Sequence, residues 1–530
     1  LALFNKFGEK CLDKLRGMFA FAIWDERNKR LFCARDRFGI KPFYYVFKDN
    51  CFYFASEAKA LVPFIDKELD YESLKEYLFF QFYLDGKTLF KDIKELLPGY
   101  FIIVNNEGLS IEKYWEVYYD IDFYHTEKYF VEELEKTFDE SIKYHIISDV
   151  PVGAYVSGGV DSSLTALRSS KYVNDDFYVF HGKFSYSPNY DESFYAKEVA
   201  KYGNLKYFEI DINHEDFRDN IRKIIYHLDF PVAGPGSFPQ YMVSKLASQH
   251  RKVVLGGQGG DEIFGGYTRY LIAYFEQCIK AAIDGTLRNG NFVVTYESII
   301  PNLVSLKNYK PLIQEFWKEG LFESMDRRYF RLINRAPSLK DEINWELLGD
   351  YDPFGPFEKI FNGSNVGKEA YFDKMTHFDF KTLLPALLQV EDRMSMAHGL
   401  ESRVPFLDHK IVELAAKIPA DIKFKDGKMK RLLLKTFAKY LPESILNRRD
   451  KMGFPVPINE WFKKELNDFI KEIFFDSPKR DIMNKEVILK KIVEEPQFGR
   501  KIWGLLSLEL WFQEFFDKFE NYKKLIKQEV

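Results

Sequence analysis

The segment Val152-Gly153-Ala154-Tyr155-Val156-Ser157-Gly158-Gly159-Val160-Asp161-Ser162-Ser163 decides the fold. Its first five residues make a short, uninterrupted apolar run, the pattern of a strand buried on both faces. A glycine-serine turn follows, and residues 164–171 then read as a helix. In such a strand–turn–helix unit the backbone N–H groups of the turn converge at the positive end of the helix. Two glycines let that backbone approach an anion closely. The hydroxyls of Ser157, Ser162 and Ser163 add donors. Asp161 would repel a phosphate unless a cation lay between them, so it is a natural Mg²⁺ ligand. The plain alternative is a structural corner with a serine cap. The full run from Ser157 to Ser163, with Asp161 inside it and strands on either side, favours a pyrophosphate cradle. It is not a Walker A loop, because GxxxxGK[ST] is absent.

Working outward, strands at 177–184, 207–210 and 252–255 alternate with helices at 193–202 and 221–228. That βαβ series predicts a parallel sheet covered by helices. Beyond about residue 270 the chain reads as mostly helical. Upstream the pattern differs. Residues 17–24 and 30–35 flank the turn Asp25-Glu26-Arg27-Asn28. Residues 43–46 and 51–54 form a hairpin about Lys48-Asp49-Asn50, and a further hairpin turns at Asn105-Asn106-Glu107-Gly108. This is an antiparallel β-rich unit with a few helices. Near 119–126 the pattern changes to a helix carrying Val131, Leu134, Phe138, Ser141 and Ile142 on one face. The expected units are therefore 1–125 and 126–530, α/β (α+β overall). The chain opens at Leu1, with Leu1, Leu3, Phe4 and Phe7 on one helical stripe and no preceding cap. This predicts that an N-terminal segment precedes Leu1 in a longer protein.

Bulk properties exclude several classes. Lys and Arg number 76 against 80 Asp and Glu, a net charge of -4, which gives no electrostatic footprint for nucleic acid or an anionic membrane. Four cysteines without CxxC spacing argue against a disulfide framework or structural zinc. No apolar run approaches the length of about 20 residues that a spanning helix needs. The chain reads as a cytoplasmic enzyme.

A second glycine-rich segment, Gly256-Gly257-Gln258-Gly259-Gly260-Asp261-Glu262-Ile263-Phe264-Gly265-Gly266-Tyr267, again follows a strand. Loops at the carboxyl ends of strands form the ligand crevice of an α/β sheet. Asp261 is thus a second Mg²⁺ or pyrophosphate-side carboxylate, and Gly256, Gly257 and Gln258 line the same crevice. A third segment runs from Glu391-Asp392-Arg393-Met394 through Gly399 to Glu401-Ser402-Arg403-Val404-Pro405. It reads as a helix ending at Gly399 followed by extended chain, and by itself it suits a solvated helix face. A fourth, Asp426-Gly427-Lys428-Met429-Lys430-Arg431, offers a cation that could neutralise charge as a phosphoanhydride breaks.

Together with 17–25 (GMFAFAIWD), 34–45 (ARDRFGIKPFYY), 54–61 (FASEAKAL) and 449–457 (RDKMGFPVP), these segments resemble the glutamine-hydrolysing asparagine synthetases from end to end. The resemblance implies a remnant of an Ntn-type class II glutamine amidotransferase domain over 1–125. It implies an adenine nucleotide α-hydrolase-like ATP-pyrophosphatase (PP-loop) synthetase domain over 126–530, with a helical C-terminal part. It further implies a ligase of asparagine biosynthesis that converts aspartate to asparagine through β-aspartyl-AMP. Its cofactors would be ATP and Mg²⁺, its nitrogen source glutamine or ammonia, and a homodimer is compatible with it. Carried over residue by residue, Ser157, Gly158, Gly159, Asp161, Ser162 and Ser163 would cradle pyrophosphate. Val160 and the strand around Gly182 would flank adenosine, and Asp161 and Asp261 would hold the metal. Glu401 and Asp392 would be the acid–base and substrate-side carboxylates, and Lys430 would stabilise the adenylation transition state.

Departures from the family pattern are specific. Gln258 stands where many members carry Glu, so a charged role there is lost or reassigned. Lys183 replaces a usual glycine, and Arg431 or Lys428 competes with Lys430 for the lysine position. Class II glutaminases use an N-terminal cysteine whose own amine is the base. Residue 1 here is Leu and Cys11 reads as a core cysteine, so no glutaminase nucleophile is expected among these residues, while ammonia remains usable. Two other readings fit the same motifs: an amidating relative acting on a different carboxylate, such as a sugar acid or antibiotic precursor, and a non-catalytic nucleotide-binding relative.

Overall fold

The computed structural model describes residues 1–173, 176–232, 234–283, 310–367, 370–424, 427–448 and 453–527. Asp426, residues 449–452 of the RDKMGFPVP segment and the Cys278 side chain lie outside the described set.

The N-terminal part holds two antiparallel sheets. β1 (Ala20–Asp25), β2 (Arg30–Arg35), β6 (Tyr100–Asn105) and β7 (Gly108–Lys113) form one, in the order β1-β2-β6-β7. β3 (Tyr44–Lys48), β4 (Cys51–Ala55) and the two-residue β5 (Lys94–Glu95) form the other, in the order β4-β3-β5. The β3–β4 hairpin pairs Lys48 with Cys51, leaving Asp49 and Asn50 as a two-residue turn with φ of 52° and 59°. Left-handed turns of this kind match strand twist and favour Asn and Asp, so the local sequence specifies the hairpin. α1 (Ala2–Phe7) departs from its expected stripe. Phe4 is buried, whereas Leu1, Leu3 and Phe7 are exposed. α2 (Tyr71–Phe80), capped by the Asp70 carboxylate on the Ser73 N–H, completes this part.

α3 (Glu127–His145) leads into a five-stranded sheet, all of whose pairings are parallel: β10 (Lys206–Asp211), β9 (Tyr178–Lys183), β8 (Val152–Tyr155), β11 (Val253–Leu255) and β12 (Glu401–Arg403), in that order. The chain starts at β8, winds outward through β9 and β10, and returns to add β11 and β12 on the other side. The order reverses between β8 and β11, the position beyond whose strand carboxyl ends α/β sheets of this kind carry their ligands. Connecting helices cover the sheet: α4 (Val160–Ser169), α5 (Ser193–Gly203), α6 (His214–Leu228) and α7 (Ser237–Ser248). The short α8 (Gly260–Phe264) follows β11.

Three details differ from the sequence reading. α4 begins at Val160, so Val160, Asp161 and Ser162 form its first turn and are not free loop. α6 starts at His214, where Asn213 and Asp216 make a reciprocal capping box. α7 and the sheet membership of β12 had no readable signal, because α7 is buried on most of its surface and β12 is three residues long. The apolar core also crosses residue 125. Tyr44, Leu74, Tyr77 and Phe90 share one cluster with Ile221, Tyr270, Phe378 and Trp511.

Candidate active site

The two glycine-rich loops meet at the switch point. β8 runs into Ser157-Gly158-Gly159, and β11 runs into Gly256-Gly257. Gly158 has φ of 69°, and an added Cβ there would lie 2.3 Å from Tyr195 Cβ. Glycine is required by conformation and by space. The loops also press on each other. A Cβ on Gly257 would sit 2.8 Å from the Ser162 N, and one on Gly260 would sit 2.4 Å from Asp161 Oδ1. The glycine run of the second loop is therefore the surface against which the first is moulded.

Asp161, in the first turn of α4, and Asp261, in the first turn of α8, converge on one cation. The Lys430 ammonium hydrogen-bonds Asp161 and lies 2.6 Å from Asp261 Oδ1. Burial alone would lower the Lys430 pKa, but the two carboxylates outweigh it and hold the amine above its ordinary value, protonated at neutral pH. Lys430 has a left-handed backbone, φ 52°, at the N-cap of the helix Arg431–Phe437. A non-glycine residue in that region costs on the order of 1–3 kcal/mol, and such strain clusters at functional positions. Gly266 completes the arrangement: a Cβ there would fall 1.8 Å from Asp261 Oδ1 and 2.2 Å from Lys430 Cε.

The hydroxyls serve the loop itself. Ser162 Oγ accepts from the Ser157 N–H at 3.1 Å, lies 3.0 Å from Ser157 Oγ and 3.2 Å from the Gly159 carbonyl. Ser163 is fully buried on the core side of α4, which corrects its expected place in the cradle. Arg448, one residue before the RDKMGFPVP segment and without a signal of its own, donates to the Gly158 carbonyl at 2.9 Å. It pairs with Glu192 and stacks 3.8 Å from the Tyr195 ring centroid.

Other expected residues lie elsewhere. Glu401 stands at the amino end of β12, paired with Val253, whereas the two loops leave the carboxyl ends of β8 and β11. Its half-exposed carboxylate accepts from Arg403 Nε at 2.6 Å. The Asp392 carboxylate is buried against the N-terminal part, 2.9 Å from Lys41 Nζ. Both placements correct the expected pair of active-site carboxylates: the helix stops at Met396 and Gly399, at φ 63°, turns the chain between them, so nine residues of spacing do not give a shared face. Gly182 is explained by packing, since a Cβ there would lie 2.6 Å from Val243 Cγ2 and 3.0 Å from Ile212 Cδ1. Val160 opens α4 and packs on the core. Arg431 pairs with Glu127 and Lys428 is exposed, which leaves Lys430 as the amine brought to the two aspartates. Gln258 Nε2 donates to Glu391 Oε2 at 3.3 Å. Lys183 pairs with Glu209 at 3.1 Å. Cys11 is 2 % exposed beside Phe4 and Leu12, and burial raises its thiol pKa, the reverse of what a nucleophile needs.

Among the described residues no group of three or more His, Cys, Asp or Glu could hold a metal, and no helix is long and apolar enough to cross a membrane. The Asp161–Asp261 pair nevertheless accepts positive charge, and oxygen ligands of this number suit Mg²⁺ when substrate phosphates and water complete its shell.

A parallel α/β sheet with glycine-rich loops, two carboxylates and a strained lysine at its switch point is an arrangement chemically able to accept a phosphate-bearing ligand. Comparison with known proteins then gives the lineage. Residues 133–513 match the family model described as asparagine synthase, and residues 1–115 match that of the glutamine amidotransferase domain. The chain belongs to the asparagine synthase family. It is 32 % identical over 520 residues to asparagine synthetase [glutamine-hydrolyzing] 1 of Bacillus subtilis, covering 96 % of this chain and 79 % of that protein. It is 27 % identical to asparagine synthetase [glutamine-hydrolyzing] 3 of the same organism, over 96 % of this chain and 80 % of that one. Amidase chyE of Penicillium rubens is 26 % identical over 89 % and 74 % of the two chains. A solved structure titled as the allosteric regulatory enzyme of purine biosynthesis covers 53 % of this chain and 47 % of its own at 13 % identity. Its TM-score of 0.15 supports no argument.

Proposed function

We propose that this chain is an ATP-dependent amidating ligase that activates the β-carboxylate of aspartate as β-aspartyl-AMP and converts it to asparagine. The convergence of Asp161 and Asp261 on Lys430, inside a glycine cradle at the sheet's switch point, carries this reading. In the first half-reaction a carboxylate oxygen attacks the α-phosphorus of ATP and pyrophosphate leaves. The N–H groups at the start of α4, with Gly158, Gly159 and Gly257, cradle the pyrophosphate, while Gly256, whose N–H donates to the Arg403 carbonyl at 2.7 Å, anchors the second loop beside them. Asp161 and Asp261 hold Mg²⁺, which when bound supplies neutralising charge to the phosphates. Lys430, kept protonated by its two partners, stabilises charge developing on the departing pyrophosphate. Ser157, Ser162 and Arg448 brace the loop so that its donors are fixed before the reaction. In the second half-reaction ammonia displaces AMP; the amidotransferase match over residues 1–115 supports glutamine as its source in the whole protein.

Aspartate-dependent exchange of labelled pyrophosphate into ATP tests this reading. Lys430→Ala is expected to lower the exchange rate by about 100-fold or more, the usual effect of removing one transition-state charge. An unchanged rate would remove Lys430 from the mechanism. The amidase-named relatives favour one second reading, amidation of a different carboxylate. AMP release from a panel of carboxylic acids, with none from aspartate, would select it.

A further inference from the structure

The buried carboxyl of Glu391 has no part in the chemistry described so far. It lies in the helix Leu383–Met396, and the residue is 4 % exposed. It accepts hydrogen bonds from Gln258 Nε2, at 3.3 Å, and from Ser402 Oγ. A Cβ added to Gly256 would lie 2.8 Å from Glu391 Oε1. The carboxyl therefore rests against the first residue beyond β11, at the switch point. From β8, Tyr155 faces it. Burial first, and the nearby Glu391 charge second, raise the Tyr155 phenol pKa, and its hydroxyl lies 2.8 Å from Ser244 Oγ on α7. Gln240, on the same helix and 8 % exposed, is a second polar side chain beside the Tyr155 hydroxyl. Among the described residues no cation pairs with Glu391, although its sequence neighbours Asp392 and Arg393 are both ion-paired. Burial raises its pKa above the ordinary glutamate value, the Ser402 and Gln258 donors oppose that rise, and the Asp392 charge adds to it.

We propose that the Glu391 carboxylate, held by Gln258 and Ser402, accepts the proton released when ammonia attacks the acyl-adenylate. This deepens the proposed function and rests on it. In the step, the nitrogen lone pair forms the C–N bond and the C–O bond to the AMP phosphate breaks. AMP leaves with the electron pair, and one N–H proton passes to Glu391 and then to solvent. A carboxylate that among the described residues is bound by neutral donors alone is suited to this, because none of them lowers its basicity as a paired cation would. The charge that position 258 does not supply is thereby provided by the residue that Gln258 binds.

The two half-reactions separate the outcomes. With ammonium chloride as the nitrogen source and free-base ammonia held constant across pH, Glu391→Gln is expected to slow amide formation by about 100-fold or more. Aspartate-dependent pyrophosphate exchange should stay within about threefold, by the same division of labour. Ser402→Ala removes one donor to the charged form. It should move the acid limb of the amide-formation profile to higher pH by about one unit, without moving the exchange profile. Equal losses in both half-reactions for Glu391→Gln, or an unmoved acid limb in Ser402→Ala, would overturn the proposal. Exchange that does not depend on aspartate in the unaltered chain would instead overturn the proposed function itself.

Discussion

Two clusters of charged side chains in this molecule use the same residue types and are built in opposite ways. In the first, Asp161, Asp261 and Lys430 meet among glycines, and the charged groups occupy the space where Cβ atoms of Gly260 and Gly266 would be. In the second, side chains fill the seam between the N-terminal part and the helix Leu383–Met396. Lys41 pairs with Asp392, while Arg393 and Lys59 share Asp229 at 3.5 and 3.0 Å. The first sets glycine backbone directly against charged side chains, around a lysine held in left-handed geometry. The second buries matched ions between elements distant in sequence. A glycine-lined cluster can admit a ligand, whereas a filled seam holds two parts of the chain together.

Four substitutions sharpen that contrast. Gly266→Ala should be the most damaging to activity. Its methyl group would fall nearest to Asp261 Oδ1 and Lys430 Cε, at 1.8 and 2.2 Å, so both side chains must be displaced. Pyrophosphate exchange should fall by about 100-fold or more with little change in melting temperature; a stably folded variant with normal exchange would break the first half of the comparison. Arg448→Ala removes the charged donor to the Gly158 carbonyl and should lower exchange roughly tenfold, the size of one charge-assisted hydrogen bond. Lys41→Met strands Asp392, whose side chain is 9 % exposed. Chemical denaturation should show a loss of about 1–3 kcal/mol, and adding Asp392→Asn should recover part of it. If exchange falls and stability does not, the seam has been misread. Glu401→Gln, at a half-exposed carboxylate, should change stability by less than about 0.5 kcal/mol and leave exchange within about twofold.

Much of this architecture was legible before the fold was described. The hairpin at Asp49-Asn50 follows from two residues that tolerate left-handed geometry. The parallel sheet follows from strands alternating with helices, and the tight glycine corner from a buried strand running into Ser157-Gly158-Gly159. The carboxylate assignments from the third segment did not hold, for a geometric reason. Sequence spacing measures distance along the chain, and Gly399 turns the chain between Asp392 and Glu401, sending one to the seam and the other to the far end of the sheet. Ser163 misled in a simpler way. It follows the loop directly, but the helix begins at Val160 and rotates it into the core.

Local sequence by itself determined the strands, the glycine-rich turns and the presence of carboxylates within them, because dihedral preference and hydrophobic period act over a few residues. Which carboxylates meet was decided only in three dimensions. Asp161, Asp261 and Lys430 are separated by 100 and 169 residues, and only the return of the chain to β11 and the left-handed turn at Lys430 bring them together. The same holds for Glu391. A glutamate on a helix reads as solvated, and its burial against Gly256, Gln258 and Ser402 exists only because β12 pairs in parallel beside β11. Long-range contacts of this kind arise from sheet order and close packing, which no local pattern encodes.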